Sequence, residues 1–571
     1  MKTPKHPTLI RRFLQARQKQ LQAKSPVLAA SLVTIRRACG NPNCRCARGQ
    51  KHQGHYLTWK VKAKTHTALR SGGSAARGQT MDARTSPAQT TGPRDNSVVP
   101  GPDPDPCDCK AAQARKVIAL VKIFLKTVRH FFPHSPDWLD RLPDTRFQPM
   151  VQYHARFLCW WGLLLFGLGL GSRRSADNDL RDLELAILHN LNLLAGTQQT
   201  SLPVTKTLDH FIGHVGSDAF AQLLHQHTRR LIRMKALEDF RFQGDFVAAV
   251  DGTGYLSFTH HHCSQCLIQK HPSGTVSYLH PVLEAKLLSP TGLALSLASE
   301  FIENPPGRTP ADYQEKKQDC ELKAFDRLAH TLKSAFPQLR LCLSFDSLYG
   351  CGRAFAVCKK YDWHFVVTFK EGRTPDLWQE FQALLKLRPE QKRTATLPDR
   401  TRRVYRWVEQ LPYLDSEKRT WTLGAILCEE TSPTGEKTTF AWLTNLAVNR
   451  DSVMPIADQV GRLRQKIENE GFNVQKNSGL NLEHVFSQNW NHAKAYYYLL
   501  QLGHLLMQLL HHNSQHLALA KQYGHRSVLA LWGALKKIPQ RLLEGLRYYL
   551  LPEADFDVRA AARCHIGLNS S

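Results

Sequence analysis

"DFVAAVDGTG", residues 245–254, is an apolar run that closes on an acid and two glycines. Five consecutive apolar residues bounded by turn-formers read as a strand buried on both faces. "LRLCLSFDSLYG", residues 339–350, repeats the pattern and ends on Asp346. Between them, "SYLHPVLEAKLLSP" (277–290) and "LALSLASEFIE" (293–303) read as two strands joined at a Pro/Gly turn. "CELKAFDRLAHTLKSAF" (320–336) reads as a helix with Phe325, Leu328, Ala329, Leu332 and Phe336 on one face. A short helix, "RAFAVCKKY" (353–361), and a strand, "WHFVVTFK" (363–370), follow. Three strands, helix, strand, helix, strand predicts an α/β fold on a mixed sheet. A carboxylate where such a strand stops is exposed at the sheet edge yet rigidly held, and ligands gather at that edge.

Further along, "RRVYRWVEQLPY" (402–413), "TWTLGAILCEE" (420–430) and "KTTFAWLTNLA" (437–447) predict a β-rich insertion at about 388–450. A helix is expected from about Ser452, with Pro455 in its first turn. Its apolar face is Ile456, Val460, Leu463 and Ile467; Glu468 lies on the polar side, and a break is expected at Gly471. Residues 111–240 and 488–571 have helical periodicity. "FLCWWGLLLFGLGLG" (157–171) is uncharged, but its 15 residues fall short of the ~20 a membrane span requires, so a buried helix is expected. The expected division is a basic arm (1–68), a disordered Pro/Gly/Ser linker (69–110), a helical region (111–240), the sheet core (241–487) and a C-terminal helical region (488–571).

Charge points to the partner. The chain has 571 residues and a formal net charge of +28. No Asp or Glu precedes Asp82, whereas 17 Lys and Arg do. An acid-free basic arm suits a polyanion, and nucleic acid is the expected partner. Fourteen unevenly spaced cysteines do not make a secreted disulfide framework. The first 25 residues alternate basic and apolar, so no secretory leader is expected and the protein is assigned to the cytoplasm.

Asp251, Asp346 and Glu468 stand out together. Converging carboxylates repel one another unless a cation lies between them. Oxygen-only ligands suit magnesium or manganese, and two such ions ~3.5–4 Å apart can clamp a phosphodiester. Each acid alone has a plainer reading: a strand-end Asp often caps a turn, and Arg464 with Glu468 has i,i+4 ion-pair spacing.

"VAAVDGTGY" (247–255), "LCLSFDSLYG" (341–350) and "RQKIENEGFN" (464–473) resemble the three catalytic motifs of DDE-type transposases of bacterial insertion sequences. "FIENP" (301–305), "QDCELKAFDRLA" (318–329) and "KIENEGFNVQKNSGLNLEH" (466–484) resemble the same group, in particular relatives with a β-rich insertion before the final Glu. The resemblance covers roughly 245–490. It implies a ribonuclease-H-like core, a DNA-binding role for the helices of 111–240, metal-dependent cleavage at element ends, and strand transfer into target DNA. It implies Asp251, Asp346 and Glu468 as ligands of two magnesium or manganese ions, with Glu470 in reserve as the third ligand. Arg464 and Lys476, with Lys370 as a weaker candidate, would hold DNA phosphates. The implied partners are double-stranded DNA ends and target, a second copy of the chain in the DNA complex, and the nucleoid when DNA is bound. Two positions depart from the group's pattern: Gly461 stands where a Tyr is usual, and Gln475 where a Lys is usual. In the insertion, Trp407 beside Tyr405 and Arg406 is a candidate for stacking a displaced base. The alternatives are a catalytically inactive DNA-binding descendant and a nuclease of the same fold.

Two cysteine groups suggest zinc. "HHHCSQCLIQKH" (260–271) offers Cys263 and Cys266 with His262 and His271 as structural ligands. "CGNPNCRC" (39–46) offers Cys39, Cys44 and Cys46 as a weaker group.

Overall fold

The computed structural model describes residues 31–37, 52–61, 64–69, 106–181, 184–307, 317–552 and 564–566. The chain divides into two compact units, residues 1–101 and 102–571. In the first, β1 (Ser31–Arg37), β2 (His52–Val61) and β3 (Lys64–Leu69) form an antiparallel sheet with β2 in the middle. The basic arm is therefore partly folded. Its β-branched "LVTI" run favours a strand more than its charge disfavours one. Cys39, Cys44 and Cys46 lie outside the described residues, as does 70–105, nearly all of the expected linker. The first helix, Pro106–Phe131, starts earlier than the composition suggested.

The second unit is built on a mixed sheet. Its strands are β4 (Arg241–Phe242), β5 (Asp245–Phe258), β6 (Leu267–Lys270), β7 (Val276–Leu288), β8 (Ala294–Phe301) and β9 (Leu341–Phe345). They continue with β10 (His364–Thr368), β11 (Lys392–Thr396), β12 (Arg402–Leu414), β13 (Thr420–Thr431) and β14 (Lys437–Thr444). The 11 strands lie in the order β11-β12-β13-β14-β10-β9-β5-β7-β6, with β8 also on β7 and β4 on β5. β5 runs antiparallel to β7 and parallel to β9, and β10 is parallel to β9. One face of the wholly buried "LCLSF" of β9, with Leu341, Leu343 and Phe345, packs with the helices Glu321–Ala335 and Gly352–Tyr361, and the other, with Cys342 and Ser344, is covered by residues 453–467. The sheet core thus follows the order of elements expected from the sequence.

The insertion is not a separate body. β14 pairs antiparallel with β10, so β11–β14 extend the same sheet. One face of the extension, with Tyr405, Trp407, Ile426, Cys428 and Trp442, is buried against Val453, Ile456, Val460, Leu463 and Ile467 of the following helical segment. Trp407 is only 4% exposed, which removes it as a stacking platform for a displaced base. The insertion is the bed on which the Glu468 segment lies.

That segment, residues 453–477, stays helical through Gly471, contrary to the expected break, but it widens to π-helix at Ala457–Gly461 and Ile467–Phe472. Such widenings carry an extra residue in the turn and recur at functional sites. Ser344 of β9 donates to the Val460 carbonyl (3.1 Å), fixing the first widening to the sheet. Gly461 is required by packing: a Cβ there would stand 2.6 Å from Trp442 Nε1. The insertion's own tryptophan therefore occupies the space that a Tyr would need.

The helices before residue 240 and after residue 490 share one hydrophobic cluster with the opposite face of the core sheet. Helix Ala155–Gly167 is buried from Phe157 onward, as its uncharged sequence requires. Among the described residues no helix is long and apolar enough to cross a membrane.

Candidate active site

The last parallel pair between β5 and β9 is Val250 opposite Phe345. The next residues are Asp251 and Asp346, so the two acids emerge side by side from adjacent strands. Asp251 is not at a strand end, as its sequence suggested. β5 continues to Phe258 along β7, and Asp251 faces Glu284 in that register. What stops at Asp251 is the parallel pairing, because β9 gives way to a turn. Backbone amides hold both carboxylates: Gly252 N donates to Asp251 Oδ1 (3.1 Å) and Leu348 N to Asp346 Oδ1 (2.9 Å).

Arg464 Nη1 donates to Asp251 Oδ2 at 2.8 Å. The i,i+4 spacing suggested a pair with Glu468; across the sheet edge Arg464 pairs with Asp251 instead. Burial pushes the Asp251 carboxyl up, Arg464 opposes this, and the charges of Asp346 and Glu468 push it further up. Glu468 is exposed on its helical turn and acts on Asp251 through its charge. The three acids, 217 residues apart at the extremes of the sequence, thus share one electrostatic neighbourhood.

A fourth acid was not anticipated. Glu321, the first residue of helix Glu321–Ala335, lays its carboxylate over Gly252, where a Cβ would stand 2.4 Å from Glu321 Oε1. Burial, then the charges of Asp251 and Asp346, raise its carboxyl to about 7. The buried Tyr349 hydroxyl lies beside it, short of full hydrogen-bond geometry. In the sequence a Glu opening a helix reads as a partner of the helix dipole. The one available signal was the glycine directly after Asp251.

Glu321 supports a test with a definite sign. Its carboxyl titrates higher in the folded chain than in the unfolded chain, so the native state holds the extra proton between pH 4.5 and about 7. Stability falls as pH rises through that window and stays lowered above it. With a chelator present, Glu321→Gln should leave the melting temperature unchanged near pH 4 and raise it by about 2–4 °C at pH 8. An equal effect at both pH values contradicts the assignment.

The donor set consists of carboxylate oxygens at a half-buried edge, with one guanidinium against four acids. That chemistry fits hard divalent cations such as magnesium or manganese. Burial first, and then the neighbouring carboxylates, raise the Asp251 and Glu321 carboxyls, a cost that a bound cation would offset.

The remaining candidates divide. Lys370 is exposed just past β10, on the edge where β9 ends just before Asp346. Lys476 is paired with Glu483 (3.1 Å). Gln475, where a Lys is usual, is fully buried and donates to Gln501 (2.7 Å), so that position belongs to the core. Glu470 pairs with Lys466 (3.0 Å) and lies against Gly292 in the β7–β8 turn, away from the acids.

A second constellation lies beyond the end of β5. His262, Cys263, Cys266 and His280 bring their ligand atoms within 4.8 Å of one another, an arrangement able to hold a metal such as zinc. His271 is not among them: its Nε2 bonds Ser277 Oγ (2.9 Å) across the β6–β7 hairpin. His280 replaces it, fully buried on β7. Cys263 and Cys266 share a hydrogen bond that lowers the Cys263 thiol and raises the Cys266 thiol, so one thiolate is favoured and metal binding would displace the proton of the other.

A family model described as a domain of unknown function, DUF6788, matches residues 11–68. That match covers the basic strands of the first unit and leaves the acid site unassigned. No curated protein matches the chain.

Proposed function

We propose that this chain is a DDE-type transposase of the bacterial insertion-sequence kind, cutting DNA at element ends and joining the freed 3′-hydroxyl to target DNA. The single observation that carries this reading is the juxtaposition of Asp251 and Asp346 on adjacent parallel strands, electrostatically coupled to Glu468 from a remote helix. The order β8-β7-β5-β9-β10, with only the last three parallel, agrees with a ribonuclease-H-like core. The net charge of +28 agrees with a DNA partner.

In this reading Asp251, Asp346 and Glu468 hold magnesium or manganese, which would activate the attacking hydroxyl and stabilise the departing oxygen. The chain's own part is positioning. The amides of Gly252 and Leu348 fix the two aspartates, and the insertion fixes the Glu468 helix against the sheet. Arg464, on Asp251 Oδ2, can exchange that carboxylate for a phosphate oxygen as DNA enters. Lys370 extends the positive rim along the same edge.

Incubation of the full chain with duplexes carrying the sequences that flank its reading frame tests the proposal. Nicks with 3′-hydroxyl termini in magnesium or manganese, absent with a chelator, are expected. DNA binding without nicking in either metal would favour an inactive DNA-binding descendant. Preference for RNA–DNA hybrids would favour a ribonuclease.

A further inference from the structure

We propose that His262, Cys263, Cys266 and His280 bind one zinc ion in a closed tetrahedral site that ties the chain downstream of Glu468 to the strand pair carrying Asp251. The inference is independent of the transposase reading.

The four ligand atoms lie within 4.8 Å of one another, and the three on Cys263, Cys266 and His280 stand close to the edges of a tetrahedral zinc site. Cys263 and Cys266 flank a two-residue turn, and their sulfurs are 3.8 Å apart, too far for a disulfide. Two sulfurs bound tetrahedrally to zinc at ~2.3 Å stand ~3.8 Å apart, and a sulfur and an imidazole nitrogen ~3.6 Å apart. His280 Nε2 lies 3.5 Å from Cys263 Sγ and 3.2 Å from Cys266 Sγ. His262 supplies the fourth corner. Its Nε2 lies 2.9 Å from the Gln488 carbonyl oxygen. A carbonyl only accepts, so that nitrogen carries the proton. Nδ1 then keeps its lone pair, and it is buried with no hydrogen-bond partner. An outer hydrogen bond that fixes the tautomer is what metal-bound histidines ordinarily have.

The surroundings show what the ion would hold. Asn304 donates to the Cys266 carbonyl (2.7 Å), and its own backbone N–H donates to that of Gln265 (3.0 Å), fixing the turn. His280 stacks on Trp490 at 3.9 Å between ring centroids. Trp490 opens the helix Trp490–His511, and Gln488, the partner of His262, lies just before it. Zinc would therefore join three stretches: the turn after β5, strand β7, and the segment between the Glu468 helix and the C-terminal helices. Four protein ligands leave no open position, so the role is structural.

The full chain, expressed with zinc and dialysed, should carry one more equivalent of zinc than the Cys263→Ser/Cys266→Ser variant, by elemental mass spectrometry. His280→Ala should lose the same equivalent and His271→Ala should retain it. Because the variants can misfold, the wild-type chain supplies an independent readout. Cys263 and Cys266 should resist alkylation until a strong chelator is added, and cobalt substitution should give tetrahedral thiolate bands. Equal zinc in wild type and the double variant overturns the proposal. So does alkylation of both cysteines at the same rate with and without chelator, or loss of the equivalent in His271→Ala but not in His280→Ala.

Discussion

Asp251→Asn, Asp346→Asn and Glu468→Gln should each lower the rate of metal-dependent nicking by about 10³-fold or more, with DNA affinity nearly unchanged. Each substitution keeps the shape of the side chain and removes its charge. The expected loss is several kcal/mol of barrier, at about 1.4 kcal/mol per factor of ten. Asp251 and Asp346 are held by backbone amides, so the amide variants should fold, and circular dichroism checks this. Asp251→Asn also releases Arg464 from its 2.8 Å ion pair, which should leave phosphate binding equal or slightly stronger. Glu470→Gln is the matched control. It lies two residues from Glu468, but its partners are Lys466 and the β7–β8 turn, and its nicking rate should stay within about threefold of wild type. A rate collapse in Glu470→Gln with normal nicking in Glu468→Gln would reassign the third acid.

Lys286→Met should be the most destabilising single change near the site. Glu284 and Lys286 are both fully buried, with Lys286 Nζ 2.9 Å from Glu284 Oε2. Lys286 also donates to Gln501 (2.9 Å), while Glu284 accepts from Ser296 (2.8 Å), Ser299 and Tyr497. Removing the ammonium leaves a buried carboxylate without its counter-charge, at a cost of about 3–5 kcal/mol. The double variant Glu284→Gln/Lys286→Met should recover most of that loss, because neither charge remains to be desolvated. Denaturant unfolding of the two singles and the double measures the coupling. The pair also matters for the site. Glu284 faces Asp251 across the β5–β7 ladder, and Gly471 lets the Glu468 helix pass close to Lys286, because a Cβ there would stand 3.2 Å from Lys286 Cδ. Additive losses in the double variant would show that the two charges do not support each other.

The sequence carried the strands and both aspartates because their signals are local. "FVAAV" and "LCLSF" can bury only as central strands, and each runs directly into its acid. The buried helix at Phe157–Gly167 was legible for the same reason: eleven consecutive side chains without charge. What the sequence withheld depends on which surfaces meet. The alternation in β12 shows that one face is covered but not by what, so the sequence leaves Trp407 open as base platform or core, and the 453–477 helix that lies on it makes it core. His280 sits inside an apolar strand, 14 residues from Cys266, and the β6–β7 register, with Leu267 opposite Leu279, brings it to the CxxC turn. Glu321 reaches Gly252 because the helix after β8 packs across β5, a tertiary fact with no periodic signature. Gly461 and Gln475 look like defects in the motif; one accommodates Trp442 and the other joins the core.

If these remote acids gather around a divalent cation, iron can map them. Ferrous iron can replace magnesium at such a site, and with ascorbate and peroxide it generates hydroxyl radicals that cut the polypeptide within a few ångströms. Cleavage of the full chain near Asp251, Glu321, Asp346 and Glu468, suppressed by excess magnesium and lost in the Asp251→Asn/Asp346→Asn variant, is the predicted result. Cuts confined to other segments, or an identical pattern in that double variant, would contradict it.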